Sequence, residues 1–187
     1  MNVLVAYATR EGQTEKVAQR IAGHLKSGGA GVQLVDLARP ALVRGLSLES
    51  FDLLVFGASM HAGGLESEMV DFINANAARI GTMSRSFFLV LLSAAAKDPQ
   101  LRSEWLTDAR SKMRRQLSVE FNEVEMIAGA LAYSRYPLPL KWLMRRIARK
   151  AGEDTDTSRD YEYTDWAQVD RYARRLLEAR DDEARCW

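Results

Sequence analysis

The sequence predicts a doubly wound α/β domain, with a five-stranded parallel sheet, helices on both faces and an insertion at the fifth strand. Short apolar segments alternate with segments whose apolar residues recur every three or four positions. The apolar runs are continuous, which is typical of strands buried on both faces of a parallel sheet. The chain has 187 residues without a break in composition, a length that fits one domain.

The predicted elements follow each other as strand, loop and helix. The first strand covers 3–8 and is rich in β-branched and small residues, and Val17, Ile21 and Leu25 then recur at helical spacing. Further strands are predicted at 32–37, 51–58, 87–92 and 125–133, and further helices at 69–80, 101–117 and 165–180, the last with Thr164 as its N-cap. Such alternation indicates parallel strands joined by right-handed crossovers.

The segment 134–160 exceeds what five strands and five helices need, and we interpret it as an insertion in a domain covering 1–180, with 181–187 as a frayed tail. Within it, 138–150 has the pattern of a basic amphipathic helix. Its expected membrane contacts are Leu140, Trp142, Leu143, Arg146 and Ile147. The alternative is that the apolar stripe packs on its own domain or on a partner in a homodimer.

Charge and cysteine content exclude several classes of function. Lys and Arg (26) balance Asp and Glu (25), so no overall charge attracts the chain to nucleic acid. The single cysteine, Cys186, excludes an intrachain disulfide and a cysteine-cluster metal site, and His24 has no second ligand at metal spacing, so no metal is expected. The start of the chain has no long apolar segment, and we expect a soluble, cytoplasmic protein.

The loop after the first strand has the features of an anion site. It consists of Thr9, Arg10, Glu11, Gly12, Gln13 and Thr14. Backbone N–H groups and the positive end of the helix dipole converge there, two threonines and Gln13 can donate hydrogen bonds, and Gly12 permits a positive φ. A nucleoside triphosphate loop would need Gly-Lys-Ser/Thr, and a dinucleotide loop Gly-x-Gly-x-x-Gly. The remaining interpretation is a site for one phosphate that is bound without a lysine. The alternative is an ordinary turn.

Two more loops should share the same sheet edge, because ligands of open sheets bind beyond the carboxyl ends of the strands. The second contains Ser59, Met60, His61, Ala62, Gly63 and Gly64, and the third contains Ser93, Ala94, Ala95, Ala96 and Lys97. Their small residues would let main chain lie against a planar ring. His61 could hydrogen-bond the ring or tune its charge, or simply pack in the loop. The alternative for both loops is that short βα loops are often rich in small residues.

The first loop resembles the flavodoxin-type phosphate loop in the form found in the menaquinone-dependent protoporphyrinogen oxidases of bacteria. The resemblance extends over nearly the whole chain. It includes Gly57-Ala58-Ser59, Ile127-Ala128-Gly129-Ala130-Leu131, Tyr133-Ser134-Arg135-Tyr136, Gly152-Glu153-Asp154-Thr155-Asp156-Thr157 and Tyr163-Thr164-Asp165-Trp166. The sets around the insertion are more specific than the first loop, which any flavodoxin would share.

The resemblance implies a flavodoxin-like fold that binds flavin mononucleotide (FMN) through the three loops, at Thr9–Thr14, 59–63 and 93–97. It implies oxidation of protoporphyrinogen IX to protoporphyrin IX, with electrons passed to menaquinone or another quinone at the inner face of the cell membrane. The flavin performs the chemistry, so no catalytic side chain is expected. Arg135, Lys97 and Arg10 are the cations expected to lie near the flavin edge, where they could pair with porphyrin propionates.

The sequence also departs from ordinary flavodoxins. The second loop offers only His61 as a ring to cover the flavin, and the third offers none. An open flavin face suits a tetrapyrrole or a quinone, and it equally suits another substrate. Three alternatives therefore stay open. They are an FMN-dependent quinone reductase with another substrate, a diffusible electron carrier, which the slightly basic charge disfavours, and a sensor module without flavin, which the intact first loop disfavours.

Overall fold

The computed structural model describes residues 1–61, 64–121, 123–135, 137–152 and 155–185. The main sheet contains β1 (Asn2–Ala8), β2 (Gly31–Asp36), β3 (Leu53–His61), β4 (Gly64–Leu65), β5 (Arg85–Leu91) and β6 (Val124–Ala128). Five of these strands are parallel in the order β2-β1-β3-β5-β6, and the short β4 pairs antiparallel with the end of β3. The order is that of a doubly wound flavodoxin-like sheet and confirms the predicted fold.

Helices cover both faces of the sheet, as predicted. They are α1 (Gln13–Ser27), α2 (Pro40–Val43), α3 (Ser67–Ala75), α4 (Ala77–Ile80), α5 (Pro99–Gln116), α6 (Leu138–Ala151) and α7 (Trp166–Arg185). One apolar core joins α1 and α7 to the sheet, and a second joins α3, α4 and α5 to the opposite face. Among the described residues, no helix is both long and apolar enough to span a membrane.

Strand β1 shows why the apolar runs are continuous. Val3 and Val5 belong to the core beneath α1 and α7, whereas Leu4 and Ala6 belong to the core beneath α3 and α5. Successive side chains of a strand point to opposite faces, so a strand covered on both sides needs apolar residues throughout. Since β1 lies inside the sheet, between β2 and β3, the loop after it lies at the carboxyl edge beside the end of β3.

The predicted fifth strand, 125–133, is interrupted. Strand β6 ends at Ala128, and β7 (Ala130–Leu131) pairs antiparallel with β8 (Tyr161–Glu162) in a separate two-stranded sheet. Gly129 lies at the break, where its N–H donates to the Leu91 carbonyl and its own carbonyl accepts from Tyr163. The insertion therefore leaves and rejoins the domain through this small sheet.

Several helix boundaries also differ from prediction. The helix predicted over 69–80 is divided at Asn76, whose side-chain amide donates to the Phe72 carbonyl and competes with the helical bonding. Helix α7 begins at Trp166, so Asp165 is its cap: Asp165 Oδ1 accepts from the Ala167 N–H at 2.9 Å. Helix α7 also continues to Arg185, through most of the predicted tail, and Cys186 and Trp187 lie outside the described residues.

Candidate functional site

Three connections meet at one edge of the sheet. Strands β1, β3 and β5 are adjacent and in register at their carboxyl ends, where Ala8 pairs with Ala58, Ala58 with Leu89, and Ser59 with Val90. The segments that follow these strands are the three loops singled out in the sequence. Adjacent carboxyl ends are where open α/β sheets bind ligands, so this edge is the candidate site.

The loop after β1 is shaped by Gly12. Its φ is 90°, a left-handed conformation that residues with a side chain rarely adopt. The Gly12 N–H donates to Thr9 Oγ1 at 3.0 Å, so the Thr9 hydroxyl stabilises the turn as an acceptor. Helix α1 begins at the next residue, and the first N–H groups of a helix have no acceptor within it. The turn therefore leaves backbone donors and the positive helix end at the sheet edge.

Thr14 provides the clearest sign of a missing acceptor. The residue is 1% exposed, and among the residues that the structure describes its Oγ1 has no hydrogen-bond partner. A buried hydroxyl without a partner destabilises a fold by roughly 1 to 3 kcal/mol, and native structures rarely keep one without a reason. Its place in the first turn of α1 fits a hydroxyl that donates to a bound anion.

The first turn of α1 and the turn at Gly12 form what we call the cradle, and the Gln13 side chain is directed away from it. Its Nε2 donates to Thr164 Oγ1 at 2.9 Å, and Thr164 Oγ1 in turn donates to the Ala128 carbonyl at 2.7 Å. The side chain therefore links the phosphate loop to the end of β6, in place of the predicted bond to an anion. Thr164, predicted as a helix cap, is the middle member of this chain of hydrogen bonds.

The predicted second loop is largely a hairpin arm. Strand β3 continues through Ser59, Met60 and His61, and Met60 pairs with Leu65 and His61 with Gly64. Ala62 and Gly63, both predicted to bind the cofactor, lie outside the described residues. The hairpin arm, residues 59–61 with 64–65, extends past Ala58, where β3 last pairs with β1. Gln116 fixes the arm from α5, because its Oε1 accepts from the Leu65 N–H at 3.0 Å.

A buried carboxylate joins the hairpin arm to the phosphate loop. Glu66, 6% exposed, directly follows the arm. Its Oε2 lies 3.2 Å from Arg10 Nη2, and its Oε1 accepts from Ser59 Oγ at 2.9 Å. The same Oε1 lies 2.9 Å from His61 Nε2, although this contact lacks the geometry of a hydrogen bond. Arg10, predicted as a ligand-binding cation, is thus paired within the protein.

The segment after β5 is compact. Leu92–Ala95 forms a 3₁₀ turn, in which Ser93, Ala94 and Ala95 are partly exposed, and Ala96 is fully buried. Lys97 Nζ donates to the Gly152 carbonyl at 2.9 Å, at the end of α6. The third segment of the site is thereby attached to the insertion.

The insertion contains the predicted helix, as α6. The side chains of Arg135, Leu140, Leu143 and Ile147, predicted to contact substrate or membrane, lie outside the described residues. Of the remaining predicted membrane contacts, Trp142 is 64% exposed and Arg146 is exposed. Leu138, four residues before Trp142 and so on the same helix face, is 82% exposed.

Three residues of the site were missed in the sequence: Glu66, Gln116 and Gly152. Each acts across a long separation, as between Glu66 and Arg10 or between Gln116 and Leu65. Glu66 has the sequence context of an ordinary acidic residue at a helix start, which gives no sign of its partners. Gly152 alone carried a signal, because a glycine after a predicted helix indicates a helix end.

Comparison with known proteins identifies relatives along the whole chain. The flavodoxin domain family model matches residues 4–158. Protoporphyrinogen IX dehydrogenase [quinone] of Escherichia coli (strain K12) is 31% identical over 181 residues, which cover 97% of each chain. The protein of the same name from Leishmania major is 27% identical, over 91% of this chain and 72% of its own. Oxidised flavodoxin 1 from Bacillus cereus is 20% identical, over 68% of this chain and 84% of its own, with a TM-score of 0.45.

Proposed function

Since the chain belongs to the flavodoxin domain family and to its protoporphyrinogen IX dehydrogenase (quinone) branch, we propose that it is an FMN-dependent oxidoreductase that converts protoporphyrinogen IX to protoporphyrin IX with a quinone as electron acceptor. The observation that carries the proposal at the site is the buried, unpartnered Thr14 hydroxyl in the first turn of α1. A single phosphate would satisfy it, and FMN has a single phosphate.

The residues of the cradle fit that phosphate. Neutral donors lie together at the positive end of a helix dipole. They are Thr14 Oγ1 and the backbone N–H groups at the start of α1, which follow the left-handed turn at Gly12. The Arg10 guanidinium is paired with Glu66, so the proposal assigns the phosphate to the neutral donors. Gln13 contributes through its backbone, since its side chain is bonded to Thr164.

The two neighbouring segments would hold the ring. The hairpin arm extends β3, which is next to β1, and the turn at Leu92–Ala95 follows β5, the strand beyond β3 on the same edge. Bound FMN would supply the redox chemistry, which is the acceptance of electron pairs from the porphyrinogen and their transfer to quinone. The described residues of these two segments include one imidazole, His61. Its Nε2 lies 2.9 Å from Glu66 Oε1, beside the phosphate loop.

Half-reactions test this function. Purified protein is mixed with FMN and then, without oxygen, with protoporphyrinogen IX, followed by a menaquinone or a ubiquinone analogue. We expect the visible flavin absorption to bleach as porphyrin forms and to recover when quinone is added. Free FMN at the same concentration is the control. If bound flavin stays oxidised in the presence of porphyrinogen, the proposed substrate is wrong. The protein would then be an electron carrier that is reduced only by partner proteins.

We further propose that α6 lies on an anionic membrane surface and brings the site to lipid-soluble quinone. Leu138 and Trp142 expose apolar surface on one face of the helix, and Arg145, Arg146 and Arg149 are exposed beside it. An interfacial helix combines such an apolar face with a cationic flank. Lys97 connects this helix to the site through Gly152.

Vesicle sedimentation tests the surface. The double variant Leu138→Ser/Trp142→Ser should lose at least fivefold in binding to vesicles that contain anionic lipid, while its FMN affinity is unchanged. Leu42→Ser is the matched control, because Leu42 is also exposed (46%) but lies on α2. Equal sedimentation of the double variant and the wild type would remove the membrane proposal. The membrane proposal would also be removed if the wild type were a dimer and the double variant a monomer while both bound vesicles equally.

A further inference from the structure

Glu66 is the described acidic side chain at the site that is almost fully enclosed, at 6% exposed. Its two oxygens serve two different segments. Oε2 pairs with Arg10 of the phosphate loop, and Oε1 accepts from Ser59 and faces His61, both on the hairpin arm. A buried carboxylate destabilises a protein unless it is paired and hydrogen-bonded, and here both requirements are met by residues of the site.

We propose that Glu66 is a positioning residue that fixes the distance between the phosphate loop and the hairpin arm before the cofactor binds. The proposal rests on the proposed function in taking FMN as the ligand of these two segments. A ligand with two ends gains affinity from both only when the two subsites are held at the matching separation. Glu66 supplies that constraint, because each of its oxygens holds one of the segments.

The carboxylate cannot be replaced by its closest isostere without loss of its charge. In Glu66→Gln the amide oxygen can still accept from Arg10, and the NH₂ group can donate to the Ser59 hydroxyl, but the negative charge that pairs with the Arg10 guanidinium is lost. The substitution therefore weakens the link to the phosphate loop while it preserves the volume of the side chain.

The hairpin arm has a second support that Glu66 does not provide. Leu65 donates to Gln116 on α5, and β3 and β4 remain paired at Met60 and His61. The arm should therefore stay folded in Glu66→Gln, and the change should appear as a looser relation between arm and phosphate loop. This separates a positioning role from a general loss of structure.

The test compares FMN with riboflavin, which has the ring without the phosphate. Apoprotein is titrated with each by flavin fluorescence. The dissociation constant of riboflavin divided by that of FMN measures how much affinity the phosphate adds. We expect Glu66→Gln to reduce this ratio at least fivefold, because the phosphate subsite is no longer held in place. Glu68→Gln is the control, since Glu68 is an exposed carboxylate two residues away on α3; it should leave the ratio within twofold.

Amide hydrogen exchange of the apoprotein gives a readout that needs no cofactor. In Glu66→Gln, exchange should rise in 9–14, which Glu66 contacts through Arg10. An unchanged phosphate loop would overturn the proposal, and so would affinities for FMN and riboflavin that fall in parallel. Failure of the wild type to bind FMN would instead remove the proposed function, and the exchange experiment would still decide whether Glu66 couples the two segments.

Discussion

Lys97 Nζ lies 2.9 Å from the carbonyl oxygen of Gly152, so the segment after β5 is hydrogen-bonded to the residue that ends α6. This contact joins the candidate cofactor site to the insertion. Gly152 has a φ of 74°, the left-handed conformation that ends many helices, and its carbonyl is thereby turned out of the helix.

Removal of this contact should loosen the end of α6. In Lys97→Gln, we expect amide exchange in the last turn of α6, at Ala148 and Arg149, to rise about fivefold, since a hydrogen bond of this kind contributes about 1 kcal/mol. Lys112→Gln is the control, because Lys112 pairs with Asp108 on the surface of α5. Equal exchange in the two variants would show that the insertion is held by other contacts.

Thr14→Val should separate stability from binding. Valine has nearly the shape of threonine, so it removes the buried, unpartnered hydroxyl without leaving a cavity. We expect the apoprotein to unfold at a higher urea concentration, with a gain of about 1 kcal/mol, and FMN to bind at least tenfold more weakly. Thr107→Val is the control, because the Thr107 hydroxyl bonds to Ser103 on the exposed side of α5. Unchanged FMN affinity in Thr14→Val would place the phosphate elsewhere.

Gly12→Ala tests the left-handed turn. Alanine at a φ of 90° should reduce the free energy of unfolding by about 1 to 2 kcal/mol, and the displaced N–H groups should weaken FMN binding at least tenfold. Gly29→Ala provides the comparison, because Gly29 has a φ of 83° with open space around it. Its stability should fall by a similar amount while its FMN affinity stays that of the wild type. A parallel loss of affinity in both variants would trace the effect to stability alone.

Asp170 should make stability depend on pH. Hydrogen bonds from Arg20, together with the nearby His24, hold the pKa of Asp170 at about 2, below its usual 3.8. A carboxylate with a lowered pKa in the folded state stabilises the fold above its unfolded pKa, and loses that contribution as the pH falls through the folded one.

Asp170→Asn should therefore lower the free energy of unfolding by about 1 kcal/mol at pH 7, a value reduced for solvent screening at this half-exposed arginine pair. The difference in the free energy of unfolding between the wild type and Asp170→Asn should decrease as the pH falls from 4 towards 2. Urea unfolding at several pH values measures it, with Asp108→Asn as the control at an exposed pair. A gap that is constant with pH would show that Asp170 acts through packing.

The sequence predicted the parallel strands well, because burial on both faces leaves a continuous apolar run such as 3–8 that few other structures require. It also predicted the turn between the first strand and the first helix, because the positive φ of Gly12 is a local feature of that turn. It failed at 125–133, where the apolar pattern continues through Gly129 although the chain changes sheets. The pattern records burial, and it does not record which partner a strand pairs with.

The side-chain contacts that organise the site could not be predicted from local sequence patterns. Glu66 meets Arg10 across 56 residues, and Gln13 meets Thr164 across 151. Such pairs depend on which loops the topology brings together, and each residue also has an ordinary local explanation. Thr164 shows the difficulty, because a threonine just before a helix has the features of a cap, yet Asp165 takes that role.

The link between Gln13 and Thr164 has a consequence for how the protein is made. Gln13 is synthesised well before Thr164, Glu162 and Asp170, which bond Gln13, Lys16 and Arg20. A nascent chain that ends before them already contains every residue of the phosphate loop but lacks the contacts that brace it. Flavin capture should therefore follow the synthesis of 162–170, which makes a bound flavin a marker of chains that extend beyond these residues.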